Sequence, residues 1–445
     1  MHAHTPSVLI INSPLFREAT CALDEDYLPS IGLGILAQAA RSRKIHVEFI
    51  DAIYQKQGVA EIVRAIEDGH CDAVGLNIFT VNQHLVREIV EKVNRKVTFI
   101  LGGLSTRELL PAIRAWNTQN QVHVVFGDGE KVFPELVLSK ATVHRNIEFH
   151  EIDKHSSYYV SDISGVFPAR DVFANEPYRN MHGLMEACIV TSRGCIYNCA
   201  FCAAASSLNQ SFTIREASVE SVKADIGAIV ISHPEVQCIR VLDDLYLKNK
   251  LSIGRATRTF GEFRLKWRAM AHVASIKQVS DDDLRKLQHS GCIELFVGIE
   301  SGSPRVLRRI HKTSDTNLIR EQMRRLFSAG INVKGYFIFG FPDETSDDMD
   351  ATLRLALELQ EDAIPTSAKF RTSVFQFRPY HGTELFHFIE KNGIGLGEKD
   401  ARFDAELSES IGRPQYNFES GNYSLVPVDL LRNYIAQTAR LSAQR

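Results

Sequence analysis

Short apolar runs rich in β-branched residues alternate along this chain with segments whose apolar residues recur at helical spacing, and that rhythm constrains the fold more than any other feature. Residues 8–12, 47–51, 73–77, 97–103 and 122–128 are strand-like, and stretches such as 31–41 and 85–95 have helical periodicity. The rhythm fades over 141–186, then restarts at 187–191 and continues through 238–243, 267–272, 292–299, 333–340 and 371–378. Alternation of this kind predicts parallel sheets covered by helices. Five units predict a doubly wound α/β sheet of Rossmann or flavodoxin type, and six predict a partial (β/α)6 barrel of TIM type. The 445 residues exceed what one core serves, and 44% apolar content is enough for two. The expected organisation is 1–140, a linker at 141–186, a second domain at 187–391 and a C-terminal extension at 392–445. Punctuation agrees: Ser280-Asp281-Asp282-Asp283 and Ser346-Asp347-Asp348 read as helix starts, and Gly291 and Gly330 as helix ends.

Ligands of such folds bind at the carboxyl ends of the strands. In the first half those ends carry Ser13-Pro14, Asn77-Ile78-Phe79-Thr80, Gly102-Gly103-Leu104-Ser105 and Gly127-Asp128-Gly129-Glu130. Small residues there allow a large flat ligand to approach the backbone. In the second half the first strand leads into Cys195-Ile196-Tyr197-Asn198-Cys199-Ala200-Phe201-Cys202. Three thiolates so spaced can each ligate a different iron of one four-iron cluster, leaving the fourth iron open to a small molecule. A structural zinc site using Cys188 as fourth ligand, or plain buried thiols, are the alternatives. No second two-cysteine knuckle is present to complete a zinc site. After Cys202 only Cys238 and Cys292 remain, too isolated for an auxiliary cluster.

A net charge of −3 argues against a dedicated nucleic-acid binder. Eight scattered cysteines and the start Met-His-Ala-His-Thr, which lacks a basic-then-apolar leader, give a cytoplasmic expectation. No apolar run approaches the length of a membrane span.

Thr191-Ser192-Arg193-Gly194-Cys195 and Cys202-Ala203 resemble the radical S-adenosylmethionine (SAM) superfamily. So do Asp243-Asp244-Leu245-Tyr246, Gly298-Ile299-Glu300-Ser301-Gly302, Gly340-Phe341-Pro342-Asp343-Glu344-Thr345 and Pro379-Tyr380-His381-Gly382-Thr383. The first half, through Gly32-Leu33-Gly34, Asp51-Ala52, Gly102-Gly103, Gly127-Asp128-Gly129-Glu130 and Phe133-Pro134-Glu135-Leu136, is similar to the cobalamin-binding domain found ahead of the radical domain in class B radical SAM methyltransferases.

The resemblance implies a 4Fe-4S cluster on Cys195, Cys199 and Cys202. It implies SAM contacts from Phe201, Asp243, Asp244, Glu300, Ser301, Gly340 and Gln376, with Gly298 and Gly340 lying against adenine. Strand parity would bring Tyr336, Gln376 and Arg378 to the same cavity. Arg193 is expected either to raise the cluster potential or to pair with a carboxylate. Cobalamin contacts would come from Ser13, Pro14, Thr80, Gly102, Gly103, Leu104, Ser105, Gly127, Gly129 and Glu130. No Asp-x-His-x-x-Gly run supplies a histidine to cobalt, and the nearby His84 and His123 read as surface or core residues.

The implied activity is methylation of an unactivated carbon of a small-molecule or natural-product substrate, with two SAM molecules consumed and an electron donor such as flavodoxin or ferredoxin. A non-methylating or vestigial cobalamin domain serving cyclisation, rearrangement or transfer of another SAM fragment, such as 3-amino-3-carboxypropyl, stays open. So does a non-enzymatic iron-sulfur or zinc regulator. Substrate specificity is expected in 141–186 and beyond Asn392, where Phe403, Tyr416, Phe418 and Tyr423 are cavity covers or packing residues.

Overall fold

The computed structural model describes residues 5–15, 28–139, 147–394 and 422–441; Phe403, Tyr416 and Phe418 lie outside them. The first sheet has six parallel strands: β1 (Ser7–Asn12), β2 (His46–Asp51), β3 (Ala73–Asn77), β4 (Thr98–Gly102), β5 (Gln121–Gly127) and β6 (Ile147–Ile152). Their order is β2-β1-β3-β4-β5-β6, so the direction of winding reverses between β1 and β3. That reversal opens a crevice at the strand ends. Helices α1 (Ile31–Ser42) and α5 (Val132–Leu138) bury Leu33, Ala37, Val132 and Phe133 on one face. On the other, α2 (Val59–Asp68), α3 (Gln83–Lys92) and α4 (Thr106–Ile113) bury Ile62, Ile66, Val86, Ile89 and Leu109. Because both faces are covered, strands such as β3 are buried at every residue.

Two-residue strand β7 (Tyr178–Arg179) begins the second sheet and pairs antiparallel with β8 (Met185–Ile189). A separate short pair, β9 (Ser192–Arg193) and β10 (Arg215–Glu216), follows. The main sheet continues in parallel through β11 (Cys238–Val241), β12 (Lys266–Ala271), β13 (Cys292–Glu300), β14 (Asn332–Phe339) and β15 (Phe370–Gln376), giving the partial barrel of six parallel strands. Its outer layer contains α6 (Val219–Ser232), α7 (Lys250–Phe260), α8 (Val273–Lys277), α9 (Asp281–His289), α10 (Pro304–Arg309), α11 (Thr316–Ser328), α12 (Ser346–Ala363) and α13 (Glu384–Lys391). A further helix, α14 (Val428–Arg440), packs on β14 and β15, stacking Tyr434 on Phe339 and accepting a bond from Thr372 Oγ1 at the Thr438 carbonyl. Ser280 caps α9 through a capping box with Asp283, and Gly291 and Gly330 both have positive φ.

The barrel interior is ionic at the amino ends of its strands. Arg268, fully buried, donates through Nε to Glu186 at 2.7 Å and through Nη1 to Glu294 at 2.9 Å, while Arg371 adds bonds of 2.6 and 2.7 Å to Glu294. Tyr178 and Asn180 complete the shell of Glu186 at 2.6 and 2.9 Å. Buried charges are tolerated only when bonded in this way.

The 141–186 stretch is more structured than its weak periodicity predicts. It contributes β6 to the first sheet and β7 to the second. The alternation of β6 is blurred by Glu148 and His150 on one face, as suits an edge strand with partial exposure. Between these strands the chain bonds to both halves: Val160 N–H donates to Asp128, and Tyr159 accepts a bond from Lys131 at its carbonyl and meets Thr213 at its hydroxyl.

Candidate active site

At the carboxyl edge of the first sheet, side chains lock the strand ends together. Asn12 Nδ2 donates to Asp51 at 2.9 Å, Asn77 Nδ2 to Asn12 at 2.8 Å, and the Ser13 N–H to Asn77 Oδ1 at 2.6 Å. Ser13 and Pro14 are thereby buried beneath the edge, and Thr80 is occupied by His381, whose N–H reaches its hydroxyl at 3.3 Å. None of these three lies in the lining of the crevices described next. Gly103 has φ +152°, and an added Cβ would lie 2.3 Å from the Ile78 carbonyl oxygen; only glycine makes this turn without strain. At Gly102 an added Cβ would meet nothing within 4 Å, and Leu104 beside it is 54% exposed.

Three adjoining crevices run from this edge to the second sheet, with volumes of about 310, 420 and 370 Å³. The first enters between α1 and α5 and is lined by Gly32, Gly102, Gly103, Gly127, Gly129 and Glu130. Leu104 and Ser105 line the second, with Asp51, Tyr54 and Tyr380. The third joins Gly103, Leu104 and Gly127 to Gly194, Asp243 and Asp244. Phe79, unremarked in the sequence beyond its place at a strand end, lines all three.

The cysteine loop follows β8, and the β9–β10 pair brackets it. Local backbone bonds fix its path: Cys202 N–H to the Cys199 carbonyl at 3.1 Å and Ser206 N–H to Tyr197 at 3.0 Å. The Ala200 N–H and carbonyl then tie it to Ile310 and Leu385. All three loop cysteines are half-buried residues, whereas Cys188, Cys238 and Cys292 are buried. Burial raises the three loop thiols, Cys202 to about 12; the Lys312 ammonium opposes this at Cys195 and Cys199. Such thiols ligate only with a cation to displace their protons, which an iron cluster provides. Phe201 is half-buried, edge-on to Phe341 at 5.8 Å.

Asp243 and Asp244 part company. Asp243 is spent on the loop, accepting bonds from Thr191 N–H at 2.6 Å, Thr191 Oγ1 at 2.7 Å and Ser192 Oγ at 2.6 Å. Asp244 opens into the third crevice; burial among protein atoms, with the Asp243 charge, raises its carboxyl.

At the next strand end, Glu300 adopts φ +66° after a register shift in β13 and pairs with Lys312 at 3.1 Å. Burial opposes the Lys312 charge, but Glu300 and the Cys199 and Cys202 sulfurs hold its ammonium above the ordinary value. No motif had singled out Lys312; only its distance of twelve residues from a strand-end glutamate links the two in sequence. The space over Gly298 belongs to this pair, since an added Cβ would lie 2.3 Å from Glu300 Oε1 and 2.9 Å from Lys312 Nζ.

Several expected contacts are corrected by the geometry. Ser301 is fully buried, bonding Thr352 at 3.0 Å and receiving the Ser303 N–H at 3.1 Å, so it fastens α12 instead of facing the crevices. The Cβ direction of Gly340 is taken by Leu431 of α14, 3.4 Å away. Register sets Tyr336 beside Ser373 and Gln376 beside the buried Phe339, so Gln376 is on the face opposite Tyr336. Arg378 is crowded with Tyr380 and Tyr423, and burial lowers its pKa. Arg193 pairs with carboxylates: Nη1 meets Asp128 at 2.8 Å and Nη2 meets Glu130, while Arg215 also binds Asp128. This ties the cluster loop to the glycine edge. His123 lies within β5 and His84 in the first turn of α3, neither in the crevice linings.

Open space over Gly32 and Gly102, an exposed leucine and an apolar slot between two helices fit a large flat ligand with an appended tail. Residues 189–356 match the model of the radical SAM superfamily, and residues 20–137 match that of the B12 binding domain. A Pyrococcus horikoshii protein named as uncharacterized methyltransferase PH0819 is 29% identical over 394 residues, covering 83% of this chain and 80% of that one. Among solved structures, the cobalamin-dependent SAM radical enzyme OxsB, with aqua-cobalamin and SAM bound, superposes with a TM-score of 0.66 at 16% identity. It covers 94% of this chain, which spans 65% of the OxsB chain. The radical SAM methyltransferase TsrM from Kitasatospora setae gives a TM-score of 0.63 at 14% identity, over 97% of this chain and 83% of its own. The two matched domains bring a 4Fe-4S cluster, SAM and cobalamin as cofactors. The chain therefore carries a radical SAM domain with a B12-binding domain ahead of it.

Proposed function

We propose that this enzyme methylates an unactivated carbon of a small-molecule substrate held between the cysteine loop and the glycine edge. The observation that carries the reading is the run of adjoining crevices in which Gly103, Leu104 and Gly127 share a lining with Gly194 and Asp244. When bound, the cluster supplies the electron that cleaves SAM, and cobalamin carries the methyl group.

The chain's own part is positioning and dryness. Cys195, Cys199 and Cys202 hold the cluster, and Asp244 accepts from the SAM ammonium while Asp243 keeps the loop in place. Glu300 acts through Lys312, which keeps positive charge beside the sulfurs. Gly102, Gly103 and Leu104 would hold the corrin, and the slot between α1 and α5 would take its nucleotide tail. Val190, Phe212 and Leu242 wall the third crevice against water. Arg193 holds the loop and the edge at a fixed separation through Asp128 and Glu130. A flavodoxin or ferredoxin would deliver electrons. The methyltransferase names of PH0819 and TsrM support the choice of group transferred.

The test is anaerobic reconstitution. Wild-type protein purified with hydroxocobalamin should retain about one corrinoid per chain, and replacement of all three loop cysteines by alanine should abolish iron-sulfur absorbance and SAM cleavage. A folded protein that retains no corrinoid would overturn methylation in favour of cyclisation, rearrangement or aminocarboxypropyl transfer.

A further inference from the structure

On the α1/α5 face of the first sheet, far along β5 and β6 from the crevice, three potential ligands converge. Parallel register sets His123 beside Glu148 and Val125 beside His150, so all three side chains share one face of adjacent strands. His123 Nδ1 lies 3.0 Å from His150 Nε2 and 3.5 Å from Glu148 Oε2, and the latter two atoms are 4.0 Å apart. The centre of a triangle with those sides is about 2.1 Å from each corner, the bond length of zinc to imidazole nitrogen and carboxylate oxygen. His123 is 3% exposed, whereas His150 and Glu148 are 26% and 39% exposed at their side chains, so the centre has one rigid ligand and an open approach.

We propose that His123, Glu148 and His150 form a site for a divalent transition metal, with zinc the natural occupant, that pins the edge strand β6 to β5. Two imidazoles and one carboxylate are a common zinc donor set, and three protein ligands leave a position for water. Burial lowers the pKa of both histidines, first among the causes at each, which keeps their lone pairs available near neutral pH. Glu148 opposes that shift at both rings. Without a metal the two facing ring nitrogens share a hydrogen bond at 3.0 Å. The site is separate from the cluster cysteines and from the crevice linings. Its consequence is mechanical: β6 ends at Ile152, whose carbonyl backs Gly127, so a pinned β6 steadies the glycine edge from behind.

Cluster-loaded protein, in which the loop thiols are already occupied, would be titrated with zinc chloride by calorimetry, and bound zinc counted after desalting. Wild type should take one zinc more per chain than His150→Gln or Glu148→Gln, both partly exposed positions that leave the core intact. Affinity at this site should fall at least about tenfold in each variant. Cobalt(II) in place of zinc should give visible ligand-field bands in wild type that vanish in His150→Gln. Equal zinc binding by wild type and both variants, or none at about 100 μM zinc, far above the affinity expected of a zinc site, would overturn the proposal and leave a proton-sharing histidine pair.

Discussion

At the residue scale, the Glu300–Lys312 pair shows how one buried charge depends on another. Lys312 Nζ meets Glu300 at 3.1 Å and the Gly298 carbonyl at 3.3 Å, with both side chains less than a tenth exposed. Lys312→Met leaves a lone buried carboxylate and should destabilise the cofactor-free protein by about 3 kcal/mol. Adding Glu300→Gln should recover part of that loss, so denaturant unfolding of the four proteins in the cycle should give a coupling energy well away from zero. Glu344 is a second such residue. Its Oε2 receives the Gly340 and Phe341 N–H groups at 2.6 and 3.0 Å, its Oε1 is buried without a partner, and burial pushes its carboxyl up to about 8. The folded chain therefore keeps this proton where the unfolded chain has lost it. Its contribution is complete below the ordinary glutamate range and declines as pH rises through about 8, by at most about 1.4 kcal/mol per pH unit. Glu344→Gln, which retains an acceptor for both N–H groups, should flatten the decline in melting temperature between pH 5.5 and 8.

At the scale of elements, the edge after β4 separates shape from binding. Gly103→Ala forces a Cβ to 2.3 Å from the Ile78 oxygen at positive φ and should cost about 2 kcal/mol in stability. Gly102→Ala meets no protein atom within 4 Å, so its melting temperature should match wild type while corrinoid retention falls. Equal loss of stability in both would refute the assignment of open space to a ligand. Strands were legible in sequence because burial on both faces leaves continuous apolar runs, as in β3 and β5. The exceptions were β6, an edge strand among the described residues where Glu148 and His150 interrupt the pattern, and the two-residue strands β7, β9 and β10, too short to carry one. The cysteine loop stands out in sequence because its three thiols lie within eight residues. Lys312 does not, since only the fold carries it to Glu300. Cross-strand register also cannot be read from one strand, so parity misplaced Gln376, and two adjacent aspartates with different surroundings look alike.

At the scale of the molecule, two parallel sheets present their carboxyl ends to a common set of crevices, and Asp128 joins them by accepting from Arg193, Arg215 and the Val160 N–H. Among the described residues no helix is long and apolar enough to cross a membrane. Methylation by this enzyme requires that both cofactors act on one substrate in one space. The most direct measurement is the product balance of an anaerobic turnover mixture containing the reconstituted enzyme, SAM, reductant and a candidate substrate, read by mass spectrometry. Methylation should yield 5′-deoxyadenosine and S-adenosylhomocysteine in equal amounts, matched by substrate heavier by one methylene unit. Methylthioadenosine, or deoxyadenosine with no homocysteine product alongside a converted substrate, would contradict it.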